Sequence, residues 1–198
     1  FGGYLFYRKG LGPMLQQLTN LTWLSLSQNG MKTKCGKWIA PSLCLLTRLT
    51  YLDLSLNAFC TKGMLPIVAS LAQLSHLREL NFRNCSFDEK LAKPLSKCMP
   101  NWKLLEELNF EGNMLNARAI KVMTDSFAHL QSLHTLLLHH NRLDAKAAQL
   151  LAKMLPLAPC LTLVDLGNNK DLTNADLADL KAVWDDDYYF NNLVIRRK

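Results

Sequence analysis

Apolar residues recur along the chain in a fixed pattern, and each copy of the pattern starts 28 residues after the previous one. The copies begin at residues 21, 49, 77, 105, 133 and 161 and read LTWLSLSQN, LTYLDLSLN, LRELNFRNC, LEELNFEGN, LHTLLLHHN and LTLVDLGNN. Because apolar and polar positions alternate within each copy, the pattern predicts a short β-strand with one buried face. The constant step indicates an internal repeat rather than six unrelated strands.

The segments between these copies have the apolar spacing of amphipathic helices, as in KGMLPIVASLAQL (62–74) and AKAAQLLAKML (145–155). One helical position is held in successive repeats by Leu43, Leu71, Met99, Phe127 and Leu155. Polar residues suited to capping a helix precede the segments, at Thr33, Thr61, Asp88, Asn116, Asp144 and Thr173. Each repeat is therefore predicted to fold as a strand, a turn and a helix.

The pattern LxxLxLxxN/C with its 28-residue step resembles the leucine-rich repeat (LRR) of the ribonuclease-inhibitor type. The final position of the copies is filled by Asn29, Asn57, Cys85, Asn113, Asn141 and Asn169. The resemblance implies an α/β solenoid, or horseshoe, with a parallel β-sheet on the concave face and α-helices on the convex face. Physical spacing agrees, since strands pack about 4.8 Å apart and helices about 8–10 Å apart, which bends the stack.

The repeats predict a single LRR domain over residues 1–198. Residues 1–20 are interpreted as a partial preceding repeat, 21–184 as six 28-residue repeats and 185–198 as a C-terminal capping segment. Because the chain does not begin with Met, we expect a fragment of a longer protein. No stretch approaches the roughly 18 apolar residues of a membrane span. The six cysteines form no CxxC pair, which favours reduced thiols and a cytoplasmic location.

Alternation along the strands divides their side chains between the core and the concave surface. The outward positions hold five acidic residues and one arginine, although the whole chain has a net charge of +7. Aromatic residues flanked by carboxylates are typical of sites that bind a basic protein. The alternative is that an exposed sheet simply tolerates such residues. The predicted protein-binding residues are Trp23, Tyr51, Asp53, Glu79, Arg83, Glu107, Glu111 and His139.

A second predicted surface is a basic stripe, in which each residue lies 28 positions after the last. It consists of Lys34, Lys62, Lys90, Arg118 and Lys146. These cations lie near predicted helix N-termini, where the helix dipole disfavours positive charge, so helix stability does not explain them. The stripe suits an acidic protein, RNA or another anionic surface. The alternative is an ordinary solvated lysine edge.

The sequence contains no recognised catalytic motif, so no enzyme activity, cofactor or metal site is predicted. The adjacent His139 and His140 occupy different positions of the repeat, one concave and one in the turn, which disfavours a shared metal. Because His139 lies one repeat from Glu111, we expect pH-dependent partner binding there. The acidic segment WDDDYYF (184–190) is interpreted as a capping loop.

These observations predict a non-enzymatic protein–protein interaction module that binds its partner on the concave face. The segment LAPCLTLVDLGNN (157–169) resembles the nucleotide-binding innate immune receptors, which suggests the ligand-sensing LRR domain of such a receptor. One alternative is a structural subunit of a ciliary, ribonucleoprotein or cytoskeletal assembly, docked through the basic stripe. The repeat pattern is also compatible with a bacterial effector LRR domain or an LRR protein similar to GTPase activators.

Overall fold

The computed structural model describes residues 10–173 together with 175, 176 and 180, and its strands form one open parallel sheet. They pair in chain order, and each residue faces the one 28 positions later, as Trp23 faces Tyr51 and Tyr51 faces Glu79. The strands are β1 (Trp23–Ser25), β2 (Tyr51–Asp53), β3 (Glu79–Asn81), β4 (Glu107–Asn109), β5 (Thr135–Leu137) and β6 (Leu163–Asp165).

A helix precedes β1, and a further helix follows each of the strands β1 to β5. The helices are α1 (Gly12–Gln17), α2 (Thr33–Leu43), α3 (Cys60–Ser70), α4 (Glu89–Ser96), α5 (Ala117–Met123) and α6 (Ala145–Met154). Short 3-10 helices extend the last four of these, at Leu71–Gln73, Met99–Asn101, Thr124–His129 and Leu155–Leu157. The alternation of parallel strands and helices confirms the predicted α/β solenoid.

The core lies between the sheet and the helices, and the strand leucines and the helix stripe fill it as the pattern predicts. Leu52, Leu80 and Leu108 are at most 1% exposed, and the helical position that includes Phe127 is buried along its whole length. Trp102 is also fully buried, and its indole Nε1 donates to the Leu71 carbonyl at 3.1 Å. The single polar atom of this large side chain is thus satisfied inside the core.

Four asparagines at the ends of the copies form a ladder of buried side-chain hydrogen bonds, namely Asn57, Asn113, Asn141 and Asn169, whereas Asn29 of the first copy is exposed. Asn57 donates from Nδ2 to the carbonyls of Leu26, Leu54 and Ser55, at 2.8–3.0 Å. Cys85 occupies the same position in the next repeat, and its thiol donates to the Leu54 carbonyl at 3.1 Å. Burial raises the pKa of the Cys85 thiol to about 12, so this cysteine is a structural donor and not a nucleophile.

The third residue after the end of each strand adopts the left-handed backbone conformation in a turn. Its φ is +53° at His140, +55° at Leu56 and +67° at Gly112, and the other repeats are similar. This conformation strains most side chains and suits glycine and asparagine. His140 is therefore a turn residue, as its place in the repeat predicts.

Four of the predicted helix caps are observed. The side chains of Asp88, Asn116 and Asp144 accept backbone N–H groups of the first helical turn, and the Thr173 hydroxyl accepts the Asp176 N–H at 3.3 Å. The predictions for Thr33 and Thr61 are wrong, because both residues lie inside their helices. Helix α2 instead begins after Lys32 and helix α3 after Phe59, and neither has a side-chain cap. The Thr61 hydroxyl donates to the Asp88 carboxylate, which links two successive repeats.

The N-terminal part of the described chain contains helix α1, with Leu11 and Leu15 buried against the first repeat. Leu18, which directly follows helix α1, is 41% exposed. No helix among the described residues is long and apolar enough to cross a bilayer. The predicted capping segment (185–198) and the acidic segment WDDDYYF (184–190) lie outside the described residues.

Candidate functional site

The first outward position of each strand brings four predicted contact residues into one row across the sheet. This aromatic–acidic row consists of Trp23, Tyr51, Glu79 and Glu107, which face one another in consecutive register. The rings of Trp23 and Tyr51 are stacked, with centroids 4.9 Å apart and planes 9° apart. Trp23 is 58% exposed, so the stack offers a flat aromatic surface to solvent.

The other half of the row is a pair of carboxylates on neighbouring strands, Glu79 and Glu107. Burial raises the pKa of Glu107 above its ordinary value, and the charge of Glu79 raises it further. Neither carboxylate forms an ion pair with any residue that the structure describes. Since like charges directly opposite each other destabilise a sheet, the pair is a local cost to the fold.

Tyr51 connects the aromatic and acidic halves of the row. Burial raises its pKa, and interactions with Asp53 and Glu79 raise it further. The Asp53 carboxylate accepts the Ser55 N–H at 2.8 Å, and the residue is only 9% exposed. Asp53 therefore adds negative charge beneath the row but offers little contact area of its own.

At the third outward position of the repeats, unlike the first, the charged residues are already paired with one another. Glu111 accepts a salt bridge from Arg83 at 3.1 Å and lies 3.4 Å from the His139 ring. His139 also lies 3.5 Å from Asp165, so the imidazole sits between two carboxylates. The partner that sequence reasoning missed is Asp165, one repeat further on. Whether His139 makes binding pH-dependent stays a prediction.

The basic stripe lies on the helices, away from the sheet. All five of its residues are exposed, and one of them, Arg118, pairs with Glu89 at 3.7 Å. A surface depression between α5 and α6 is lined by Asn116, Ala117, Arg118, Lys121, Asp144 and Lys146. Sequence reasoning missed Lys37 and Lys121, although a spacing of three residues places each beside a stripe residue.

Within the described part of the chain, no group of three or more His, Cys, Asp or Glu residues is arranged to hold a metal ion. The rings of His139 and His140 are 4.5 Å apart, but His140 is exposed in the turn while His139 contacts the carboxylates. All six cysteines are free thiols, and burial raises the pKa of Cys98 to about 11.

Comparisons with known proteins agree with the repeat architecture. The Leucine Rich Repeat family model matches residues 76–98, and no curated protein matches the chain. An internalin (InlF) of Listeria monocytogenes is 22% identical with a TM-score of 0.52, over 86% of this chain and 48% of its own. The present chain thus spans about half the length of that internalin.

Two further solved structures are similar in fold. The tropomodulin C-terminal domain of Caenorhabditis elegans is 12% identical with a TM-score of 0.54, over 86% of this chain and 87% of its own. Leiomodin-1 actin-binding site 2 is also 12% identical with a TM-score of 0.54, over 85% of this chain and 84% of its own. At these identities the likeness concerns the fold alone.

Proposed function

We propose that this chain is a protein-recognition module that acts by binding, and that it holds a basic segment of a partner protein on its concave face. The observation that carries the proposal is the aromatic–acidic row. Two carboxylates face each other without a counter-cation among the described residues, and beside them lies an exposed aromatic stack. A cationic side chain from a partner relieves the repulsion and covers the aromatic surface at the same time.

The chemistry of the row favours arginine and lysine. A guanidinium group stacks on the face of an indole ring such as Trp23 and is attracted by its π-electrons. A second cation between Glu79 and Glu107 is stabilised by two carboxylates. The row crosses four strands about 4.8 Å apart and so spans about 14 Å, roughly four to five residues of an extended peptide. We therefore expect two basic side chains of one short segment to occupy it.

The test measures direct binding of fluorescent peptides that are rich in arginine, in glutamate or in glycine and serine. The double variant Trp23→Ala/Glu107→Ala is expected to bind the arginine-rich peptide at least about tenfold more weakly, since hot-spot residues commonly contribute about 2 kcal/mol or more. A matched control, Leu104→Ala/Glu106→Ala, removes an exposed apolar and an acidic residue just before β4, outside the aromatic–acidic row. Equal affinity of the wild type and the Trp23→Ala/Glu107→Ala variant for the arginine-rich peptide refutes the proposed site.

Affinity capture with the wild type and the same Trp23→Ala/Glu107→Ala variant, read by mass spectrometry, identifies the natural partner. A protein retained by the wild type and by the Leu104 control, but lost from the concave variant, is the expected result. Capture of the same proteins by all three contradicts recognition through this face.

We extend the proposal to the repeat type of the module, its cellular location and the kind of protein that contains it. We assign its repeats to the ribonuclease-inhibitor type and the chain to one LRR domain, supported by the constant 28-residue register of the sheet. A cytoplasmic location is supported by the six free thiols. The ligand-sensing domain of a nucleotide-binding immune receptor is the setting favoured by residues 157–169.

A further inference from the structure

Positive charge is concentrated on the helices in a way that the basic stripe alone does not show. Helices α2 to α6 contain nine lysines and arginines and a single acidic residue, Glu89. Eight of these cations lie within the first five residues of their helices. This basic helical surface, every member of which is exposed, consists of Lys34, Lys37, Lys62, Lys90, Lys93, Arg118, Lys121 and Lys146.

The fold gives no reason for the five cations at the second or third helical position, whereas Lys93 and Lys121 lie in the last turn of their short helices, where the dipole favours a cation. The positive end of the helix dipole lies at the N-terminus, so the first turns favour acidic residues. Among the described residues only Arg118 of the basic helical surface has an ion-pair partner, Glu89. Helices α2 and α3 also lack a side-chain cap that would offset the positive field there. At this edge the eight cations outnumber the neighbouring carboxylates of Asp88, Glu89 and Asp144, so its net charge is positive.

The basic helical surface is long and narrow. Cations three residues apart, such as Lys34 and Lys37 or Lys90 and Lys93, lie side by side on one helix face. Neighbouring helices are about 8–10 Å apart, so five helices extend the surface over roughly 32–40 Å. In the depression between α5 and α6, Arg118, Lys121 and Lys146 converge on one concavity. Such a strip matches a linear polyanion better than a compact anionic ligand.

The shape of the surface distinguishes between polyanions. Seven of the eight residues are lysines, which attract phosphates as point charges, whereas arginine forms paired bonds to carboxylate and phosphate alike. Helices pack more widely than strands, so this side of the solenoid is convex. A flat bilayer or a stiff duplex touches only part of a convex strip, while a flexible strand follows it.

We propose that the basic helical surface binds the phosphate backbone of a single-stranded nucleic acid, independently of the concave face. The aromatic residue of helices α2 to α6 is Trp38, which packs against the core, so the bases are not held by a stacking platform and recognition is independent of sequence. With one phosphate contacted by each of the five helices, the strip covers about five nucleotides, which lies within the about 4–16 nucleotides that a single OB fold covers.

The experiment measures fluorescence anisotropy of a labelled oligothymidylate and an oligouridylate of about 20 nucleotides in 50–200 mM KCl. Each neutralised phosphate contributes about −0.7 to the slope of log affinity against log salt. Five contacts, one for each helix, therefore give a slope of about −3.5 and a loss of roughly a hundredfold across this range. A slope near zero overturns the proposal.

The variant Lys62→Gln/Lys90→Gln/Lys93→Gln/Lys146→Gln removes four exposed cations that form no ion pair within the described part of the chain. Because these cations belong to three helices, the variant is expected to reduce the steepness of the salt slope by about 2.1 and to weaken binding at least about tenfold in 50 mM KCl. The matched control Arg48→Gln/Lys97→Gln/Lys103→Gln/Lys153→Gln changes the net charge equally, and its residues lie outside the first turns of the helices. Equal loss in both variants overturns the surface, because it shows a response to net charge alone.

Competing ligands distinguish a single-stranded nucleic acid from other polyanions as the ligand of this surface. Vesicles of phosphatidylcholine and phosphatidylserine, polyglutamate, and a duplex of the same length are measured against the single strand under the same conditions. Tighter binding of any of these three overturns the single-stranded assignment. The Trp23→Ala/Glu107→Ala variant is expected to keep full affinity for the oligonucleotide, so failure of either proposal leaves the other testable.

Discussion

Replacing Asn57 by alanine removes one rung of the asparagine ladder and tests what joins the repeats. The side chain is 3% exposed and makes five hydrogen bonds to the backbone. Its Oδ1 accepts the N–H groups of Met31 at 3.0 Å and Asn29 at 3.2 Å, which lie in the preceding repeat. Alanine leaves both N–H groups and three carbonyls without these partners.

The cost follows from the number of buried groups that lose a partner. An unsatisfied buried donor or acceptor costs about 1–3 kcal/mol, and the Met31 N–H is fully enclosed. The Asn29 N–H is only partly buried, and carbonyls tolerate the loss of one bond more easily. We therefore expect Asn57→Ala to lower the free energy of unfolding by about 3–5 kcal/mol, a large part of the roughly 5–15 kcal/mol typical of a domain.

Urea unfolding followed by circular dichroism measures this difference, provided that the slope with denaturant is unchanged. Asn57→Cys is expected to cost about half as much, because Cys85 shows that a thiol in this position still donates to the preceding repeat. An exposed control, Asn20→Ala, is expected to stay within about 1 kcal/mol of the wild type. A loss below about 1 kcal/mol for Asn57→Ala refutes the ladder as a main link between repeats.

Three further predictions concern single residues. Because the folded state raises the pKa of Glu107, it binds more protons than the unfolded chain at mildly acidic pH, and stability falls as pH rises through that window. Glu107→Gln removes this decline and the repulsion with Glu79, so urea unfolding at pH 7 should show a gain of about 0.2–1 kcal/mol; a loss contradicts it. Gly36→Ala places a Cβ against the Gly63 carbonyl oxygen and should lower the free energy of unfolding by about 2–3 kcal/mol. Helix propensity alone predicts a gain in stability of about 1 kcal/mol, and such a gain contradicts close packing of α2 and α3. Between pH 7.5 and 5.5 the affinity for a basic peptide should change less in His139→Gln than in the wild type, and affinity that stays flat in both contradicts pH-dependent binding through His139.

Most of the fold is predictable from the sequence because the repeat step fixes the register. Once residues 28 positions apart are known to be neighbours, the facing of Glu79 and Glu107 follows without coordinates. Helix starts are less predictable, since a threonine in a suitable place is only a potential cap. At Thr61 the hydroxyl bonds instead to Asp88 of the next repeat, a choice that depends on tertiary packing.

The candidate concave site was predictable in position but not in the state of each side chain. Alternation identifies Arg83 and Glu111 as outward residues, yet their mutual ion pair depends on side-chain conformations that a pattern does not specify. The near burial of Asp53 depends on a local bond to the Ser55 N–H. Lys121 is not part of the 28-residue pattern of the basic stripe, because that pattern contains a single helical position of each repeat.

The separation of charge between the two faces argues that they bind different partners. A single polyanion is repelled by the carboxylates Glu79 and Glu107, and a single basic segment is repelled by the helices. Since the Debye length is about 8 Å at physiological salt and the sheet and helices form separate layers about 10 Å apart, each face acts largely on its own. The repulsion within the aromatic–acidic row and the lysines in the first helical turns both reduce stability, and a bound ligand of opposite charge relieves each of them. Two independent binding surfaces account for both features, while solubility alone requires neither charge pattern.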